Sequence, residues 1–196
     1  MAGRSASTER TTTETAVTLE LCLDGTGSYS IQTGVGFLDH MLSHIAKHGL
    51  IDLTIHASGD LHVDAHHVVE DVGIVLGKAL KQALGDKRGL VRYGHAAVPM
   101  DEALVLVAVD VSGRPFVAVD VDMPCEKVGD FDTELLVEFM RALAVNAECT
   151  LHVRQLAGGN GHHIMEAAFK ALGRALDMAV SIDPRRDDVP STKGVL

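Results

Sequence analysis

A chain of 196 residues with 46% hydrophobic content can build one domain, or two intimately packed half-domains, around a real core. A formal net charge of −10 and only 4% aromatic residues argue against a nucleic-acid or anionic-membrane partner. Cys22, Cys125 and Cys149 are an odd number without CxxC spacing, so they read as reduced thiols rather than a disulfide framework or a zinc site. The stretch from Met1 to Thr15 lacks the apolar run of a signal peptide, and no segment approaches the roughly 20 apolar residues of a membrane helix. The expectation is a soluble cytoplasmic protein.

In chain order, residues 1 to about 8 read as a loose polar tail. Val17, Leu19, Leu21 and Leu23 alternate with more polar residues as in a half-buried strand, and Asp24-Gly25-Thr26-Gly27 turns the chain into a return strand, Ser28 to Thr33. A helix is expected from Phe37 to His48, with an apolar stripe of Phe37, Met41, Leu42 and Ile45 and a ladder of His40, His44 and His48 on another face. Ile51 to His56 alternates as a strand, and a helix opens at His66 and ends near Gly85. Met100 to Val111 reads as one very apolar central strand, with Phe116 to Val121 returning beside it. Phe131 to Asn146 is an amphipathic helix, Thr150 to Arg154 a strand, and a last helix follows Gly158-Gly159-Asn160-Gly161. His56, His62 and His95 read as ordinary surface or core residues.

One phrase occurs twice. His66-His67-Val68-Val69-Glu70 and His162-His163-Ile164-Met165-Glu166 both open helices and lie 96 residues apart (162 − 66), so each half of the chain owns a copy. The expected fold is therefore α/β (α+β): an internally duplicated sandwich of β-sheets and helix layers. Residues 1–90 form the first half and 91–196 the second, each as strand, strand, helix, strand, helix. Aligned on the His pairs, His40 lies 26 residues before its pair and Glu138 lies 24 before its own, so the two become counterparts if one loop differs by two residues.

On a helix the first His and the Glu, four apart, share a face, and the second His reaches the Glu from the other side. Imidazoles and a carboxylate suit Mn²⁺, Fe²⁺, Co²⁺ or Zn²⁺, and adjacent histidines diverge by about 100°, which favours two ions over one. Candidate metal ligands are His66, His67, Glu70, His162, His163 and Glu166, joined by His40 and Glu138. A surface helix that merely carries a His pair is the competing reading for either copy alone.

With these residues assembled, the chain resembles the imidazoleglycerol-phosphate dehydratase family along nearly its whole length. The resemblance runs from Glu9-Arg10-Thr11 through Phe37-Leu38-Asp39-His40-Met41-Leu42 and both His-His-x-x-Glu phrases to Pro190-Ser191-Thr192-Lys193-Gly194. Val68 stands where the family usually has Thr, and Glu138 where several members have His, which leaves His152 as an alternative ligand. The resemblance implies a fold like the second domain of ribosomal protein S5, an assembly of 24 subunits with sites between them, and two Mn²⁺ per active site. It implies that imidazole glycerol phosphate loses water to give imidazole acetol phosphate through a metal-bound imidazolate. The proton lost is on a carbon with no adjacent carbonyl, so the ring is the only nearby electron sink, and Lewis-acidic metals on its nitrogens would favour that route. Glu14 is implied as the leading proton-transfer residue, with Glu70 and Glu166 also able to shuttle a proton and Asp101 a weaker candidate. Arg92, Arg114, Lys170, Ser191, Thr192 and Lys193 are implied as substrate contacts, the cations for phosphate, and His44, Lys47 and His48 are expected to line the same pocket. A metal-dependent hydrolase and a metal-storage protein are the other readings of paired His/Glu clusters. Storage has no use for the cationic C-terminal tail.

Overall fold

The structure, a computed structural model, describes residues 3–196. Its first half runs β1 (Ser5–Thr11), β2 (Thr15–Cys22), β3 (Tyr29–Gln32), α1 (Gly36–Gly49), β4 (Asp52–Gly59) and α2 (His66–Leu84). The second runs β5 (Tyr93–Met100), β6 (Ala103–Asp110), β7 (Phe116–Asp120), a small hairpin of β8 (Lys127–Val128) and β9 (Phe131–Asp132), α3 (Leu135–Ala147), β10 (Thr150–Ala157) and α4 (Gly161–Val180). Two mixed four-stranded sheets result, in the orders β1-β2-β4-β3 and β5-β6-β10-β7. Exchanging counterpart strands turns one order into the other.

Several expectations change. The tail expected over residues 1–8 is strand from Ser5 onward, while Met1 and Ala2 lie outside the described residues. The apolar run from Met100 to Val111 is not one strand, because Asp101, at φ 48°, turns β5 into β6. Each four-stranded sheet therefore has one strand more than the hydrophobic pattern announces, and the second half adds the β8–β9 hairpin. The two return strands do not form hairpins: β3 pairs parallel to β4, and β7 parallel to β10, each connected to its partner through a helix. The helix expected from Phe131 begins at Leu135, since Phe131 belongs to the β8–β9 hairpin.

Alternation in the strands decides what lies between the sheets. Val17, Leu19 and Leu21 of β2 and Val105, Val107 and Val109 of β6 are buried on one face, toward the helices. On the opposite face β6 presents Leu104, Leu106 and Ala108, half-buried, so this strand is central in its sheet but packed fully on one side only. Each sheet carries its own helices, α2 on β1 and β2, α4 on β5 and β6. Between the halves α2 packs on α3 and α1 on α4. One continuous apolar core runs through both halves, and Phe139 of α3 meets Phe169 of α4 inside it at 5.1 Å between ring centroids.

The two helix crossings share two equivalent backbone contacts. A Cβ added to Gly77 of α2 would meet Leu143 O and Ala147 N of α3; one added to Gly173 of α4 would meet Ile45 O and Gly49 N of α1. Gly77 and Gly173 are 96 apart, as are the His pairs, whereas Ile45/Leu143 and Gly49/Ala147 are 98 apart, as are His40/Glu138. The two-residue difference falls between the last strand of each half and its His pair, six residues (60–65) before His66 and four (158–161) before His162.

Candidate active site

α1 and α4 cross so closely at Gly49 and Gly173 that their polar edges share one small space. Glu166, one turn into α4, is the buried centre of it. His162 Nε2 is 3.1 Å from Glu166 Oε2, and His40 Nε2, arriving from α1, is 3.6 Å from the same oxygen. His44 Nε2 lies 3.4 Å from the other oxygen, Oε1, which also forms an ion pair with Lys170 Nζ at 2.6 Å. Burial would raise the Glu166 pKa, yet Lys170, His44 and His162 outweigh it and hold the carboxyl down to about 2. Burial pushes His44 down to about 4 against the pull of Glu166, so its ring is neutral near pH 7. His48, one turn on, is lowered by burial and then by the Lys170 charge.

These donors fit a divalent ion. The ligand atoms of His40, His162 and Glu166 all lie within 4.8 Å of one another. Neighbouring ligands of an octahedral ion bound at about 2.1 Å sit about 3 Å apart, so small side-chain rotations close the set. Two imidazole nitrogens and a carboxylate oxygen suit Mn²⁺. Beside the cluster, Phe37, Leu61, Val63, Phe131 and Lys127 line a pocket of about 690 Å³ that includes His40 and His162, large enough for a small phosphorylated ligand.

The second histidine of each pair turns away. The rings of His66 and His67 stand at 88° to each other and those of His162 and His163 at 86°. His67 Nδ1 is 3.0 Å from Asp60 Oδ2 and 3.8 Å from Glu14 Oε2; His163 Nδ1 is 2.7 Å from Glu102 Oε2. These hydrogen bonds raise both imidazole pKa values and bring Glu102 down to about 2. Neither Asp60 nor Glu102 is among the site residues expected from the sequence. Aligning the halves on their strands rather than on their histidines would have found Glu102, which then falls opposite Glu14.

The counterpart of the α4 cluster, on α2 and α3, is looser. His66 and Glu138 line one small pocket, but the Glu138 carboxylate accepts a hydrogen bond from Arg141 at 2.9 Å. Glu70 is half-buried on α2. His152 lies on the solvent face of its sheet beside Phe116, with ring centroids 5.6 Å apart.

The expected phosphate contacts separate into groups. Lys170, Lys47 and His48 lie along the α1–α4 edge below Glu166. Arg92, Ser191 and Thr192 line a pocket at the far end of α4, where the Arg92 amide donates to Ala179 O. Ala179 is 13 residues beyond Glu166, about 20 Å along a helix. Arg92 itself is committed: it donates to both Asp110 oxygens, at 2.7 and 3.2 Å, and to Pro190 O at 2.8 Å, fixing the C-terminal segment. Arg114, exposed on the β6–β7 turn, pairs with no carboxylate among the described residues. Within one chain the tail and the histidine cluster do not meet.

Comparison with known proteins identifies the family. A family model described as imidazoleglycerol-phosphate dehydratase matches residues 33–176. The imidazoleglycerol-phosphate dehydratase of Desulforamulus reducens is 62% identical over 196 residues, covering 100% of both chains, and that of Moorella thermoacetica 57% over 193, covering 98% of each. The crystal structure of the Staphylococcus aureus enzyme superposes with a TM-score of 0.83 at 44% identity, covering 91% of this chain and 99% of that one. The Pyrococcus furiosus enzyme, in complex with (S)-C348, gives 0.84 at 43%, covering 96% and 100%. Full-length identity, a matching fold and the twofold His-His-x-x-Glu pattern lead to one conclusion: the chain belongs to the imidazoleglycerol-phosphate dehydratase family, which are lyases.

Proposed function

We propose that the chain removes water from imidazole glycerol phosphate to give imidazole acetol phosphate in histidine biosynthesis, as a cytoplasmic homo-oligomer carrying two Mn²⁺ per active site. The observation that carries this reading is the convergence of His40 from the first half with His162 and Glu166 from the second on one small space. His40, His162 and Glu166 would hold one ion. The counterpart set of Glu138, His66 and Glu70 would begin the other, with His67 and His163 offering outward-facing nitrogens to complete the ligation. When bound, the ions supply Lewis acidity at the imidazole ring, which makes the ring an electron sink for a weak carbon acid.

The chain's own groups divide the remaining work. Glu14 is the proton-transfer residue best supported by its surroundings: its carboxylate is exposed, accepts no hydrogen bond among the described residues and stands 3.8 Å from His67 Nδ1. Glu166, held to about 2, is a poor proton acceptor near pH 7 and serves as a ligand. Glu70, half-buried, is the second choice for proton transfer. Lys170, Lys47, His44 and His48 would contact substrate beside the cluster, while Arg92 holds the tail that carries Ser191, Thr192 and Lys193, and Arg114 adds a free cation. Because tail and cluster lie about 20 Å apart along α4, these phosphate contacts would come from a neighbouring copy. That supports active sites between subunits, which the proposed assembly of 24 chains would provide. The two half-domains, 1–90 and 91–196, with the fold of the second domain of ribosomal protein S5, are supported by the matching strand orders of the two sheets. Among the described residues no helix is long and apolar enough to cross a membrane.

The test is to strip the purified protein of metal and follow imidazole acetol phosphate formation with and without Mn²⁺. Turnover that returns with the metal supports the reading. No turnover from fully metallated, assembled protein overturns it.

A further inference from the structure

The turns that join β1 to β2 and β5 to β6 occupy equivalent places, and each ends in a glutamate: Glu14 directly before Thr15 of β2, Glu102 directly before Ala103 of β6. Both face the second histidine of a signature pair, yet they do different things there. Glu102 Oε2 accepts from His163 Nδ1 at 2.7 Å, while its Oε1 accepts from the Asn160 amide at 2.9 Å. Glu14 stops 3.8 Å short of His67 Nδ1, because Asp60 already occupies that nitrogen at 3.0 Å. Asp60 is the first residue after β4. Counted from the strand end, its counterpart after β10 is Gly158, which has no side chain to offer. The same ring nitrogen is therefore tied in both halves, from two different places in the fold.

A carboxylate on Nδ1 fixes which nitrogen carries the hydrogen and which way the ring faces, leaving Nε2 with a free lone pair. The nearest carboxylate to His163 Nε2 is Asp101 Oδ2 at 3.8 Å, outside hydrogen-bond reach, so that nitrogen is open. We propose that Glu102 is a positioning residue that presents His163 Nε2 to a metal ion, doing for His163 what Asp60 does for His67. This rests on the two-metal reading above. It also accounts for the difference between the two glutamates: Asp60 relieves Glu14 of the orienting task and leaves that carboxylate free for proton transfer, whereas Glu102 is occupied.

The test compares full-length, metal-stripped wild type with Glu102→Ala and Glu102→Gln. Each is titrated with Mn²⁺ while free ion is read from its electron paramagnetic resonance signal and bound ion from spin-echo modulation by imidazole nitrogen. Wild type is expected to bind two ions per chain. Glu102→Ala should weaken one of them by about 10- to 100-fold and lose part of the imidazole modulation. Glu102→Gln, whose amide oxygen still accepts from Nδ1, should recover most of the affinity. A merely structural glutamate would lower thermal stability without selecting one ion, so melting curves are recorded alongside. The glutamine variant keeps the side-chain length, which leaves the comparison intact if the alanine variant folds poorly. Wild-type binding of two ions with unchanged affinity in both variants overturns the role of Glu102 and leaves the metal reading standing. Failure of the wild type itself to bind Mn²⁺ overturns both.

Discussion

Replacing Gly77 by alanine should destabilise the protein, and the equivalent change at Gly173 should do so less. A Cβ on Gly77 would lie 2.6 Å from Leu143 O, 2.8 Å from Asn146 Cβ and 2.9 Å from Ala147 N. Ordinary contact begins near 3.4 Å, so α3 would have to retreat by about 0.8 Å along a crossing packed like an organic crystal. Two of the three obstacles are backbone atoms, which cannot rotate away. Overpacking costs about 1–3 kcal/mol, and against two backbone atoms that cannot yield the upper part of that range, about 2–3 kcal/mol, applies; alanine returns about 1 kcal/mol of helix propensity. The net for Gly77→Ala is a loss of about 1–2 kcal/mol, or a melting temperature lower by about 2–8 °C for a chain of this size. At Gly173 the nearest atoms are at 3.0 and 3.1 Å. The retreat is half as large, and propensity brings the net to within about 1 kcal/mol of zero. Calorimetry and urea unfolding of wild type and both variants at one protein concentration would measure this. If Gly77→Ala proved as stable as wild type, or Gly173→Ala the more damaging of the two, the crossings would not be set by these backbone contacts.

Other consequences can be tested directly. Arg92→Ala removes the bonds to Asp110 and Pro190 O and leaves Asp110, only 21% exposed, without its cation; a loss of about 2–3 kcal/mol is expected, with faster trypsin cleavage at Arg185 and Arg186. Burial pushes the Cys149 thiol up to about 12, so at pH 8 a thiol reagent should modify exposed Cys125 and leave Cys149 untouched until the protein is unfolded. The hydrogen bonds from Arg4 hold Asp24 below the usual carboxylate range. Its depressed folded-state pKa means the ion pair stabilises above the ordinary value of about 4 and is lost as the pH falls through the lower folded-state value. Wild type should therefore exceed Arg4→Ala in stability by at most about 1 kcal/mol at neutral pH, with the gap closing on acidification.

Much of this architecture was readable because helices and half-buried strands repeat their apolar residues at different periods. The four helices and the alternating strands β2 and β4 appear where Met41, Leu42 and Ile45, or Val17, Leu19 and Leu21, require them. Pairing was not readable. Nothing in Tyr29–Gln32 says that it joins β4 in parallel rather than β2 in a hairpin, because that choice is made when α1 packs against the sheet. β1 was hidden for another reason: as an edge strand of Ser, Thr and charged residues it buries only Ala6. The β5–β6 turn was hidden because Asp101 adopts positive φ without a glycine to announce it. Missing that turn meant missing Glu102. The cluster of His40, His162 and Glu166 was legible, by contrast, because helical spacing and the repeated phrase both point to it as a candidate ligand set.

The exchange of helices between halves has a consequence for either half alone. α1 finds its partner in α4 and α2 in α3, so neither half buries its helices against its own second helix. A chain of half this length would leave those apolar stripes open to water, and the only surface of matching shape would be a second copy of itself. Joined around the same pair of crossings, two such copies would bring His40 of one against the first His and the Glu of the other. The polypeptide link near residue 90 makes permanent a pairing that two separate halves would have to find by collision, and it lets the two sides differ. Asp60 on one side and Glu102 on the other are such a difference.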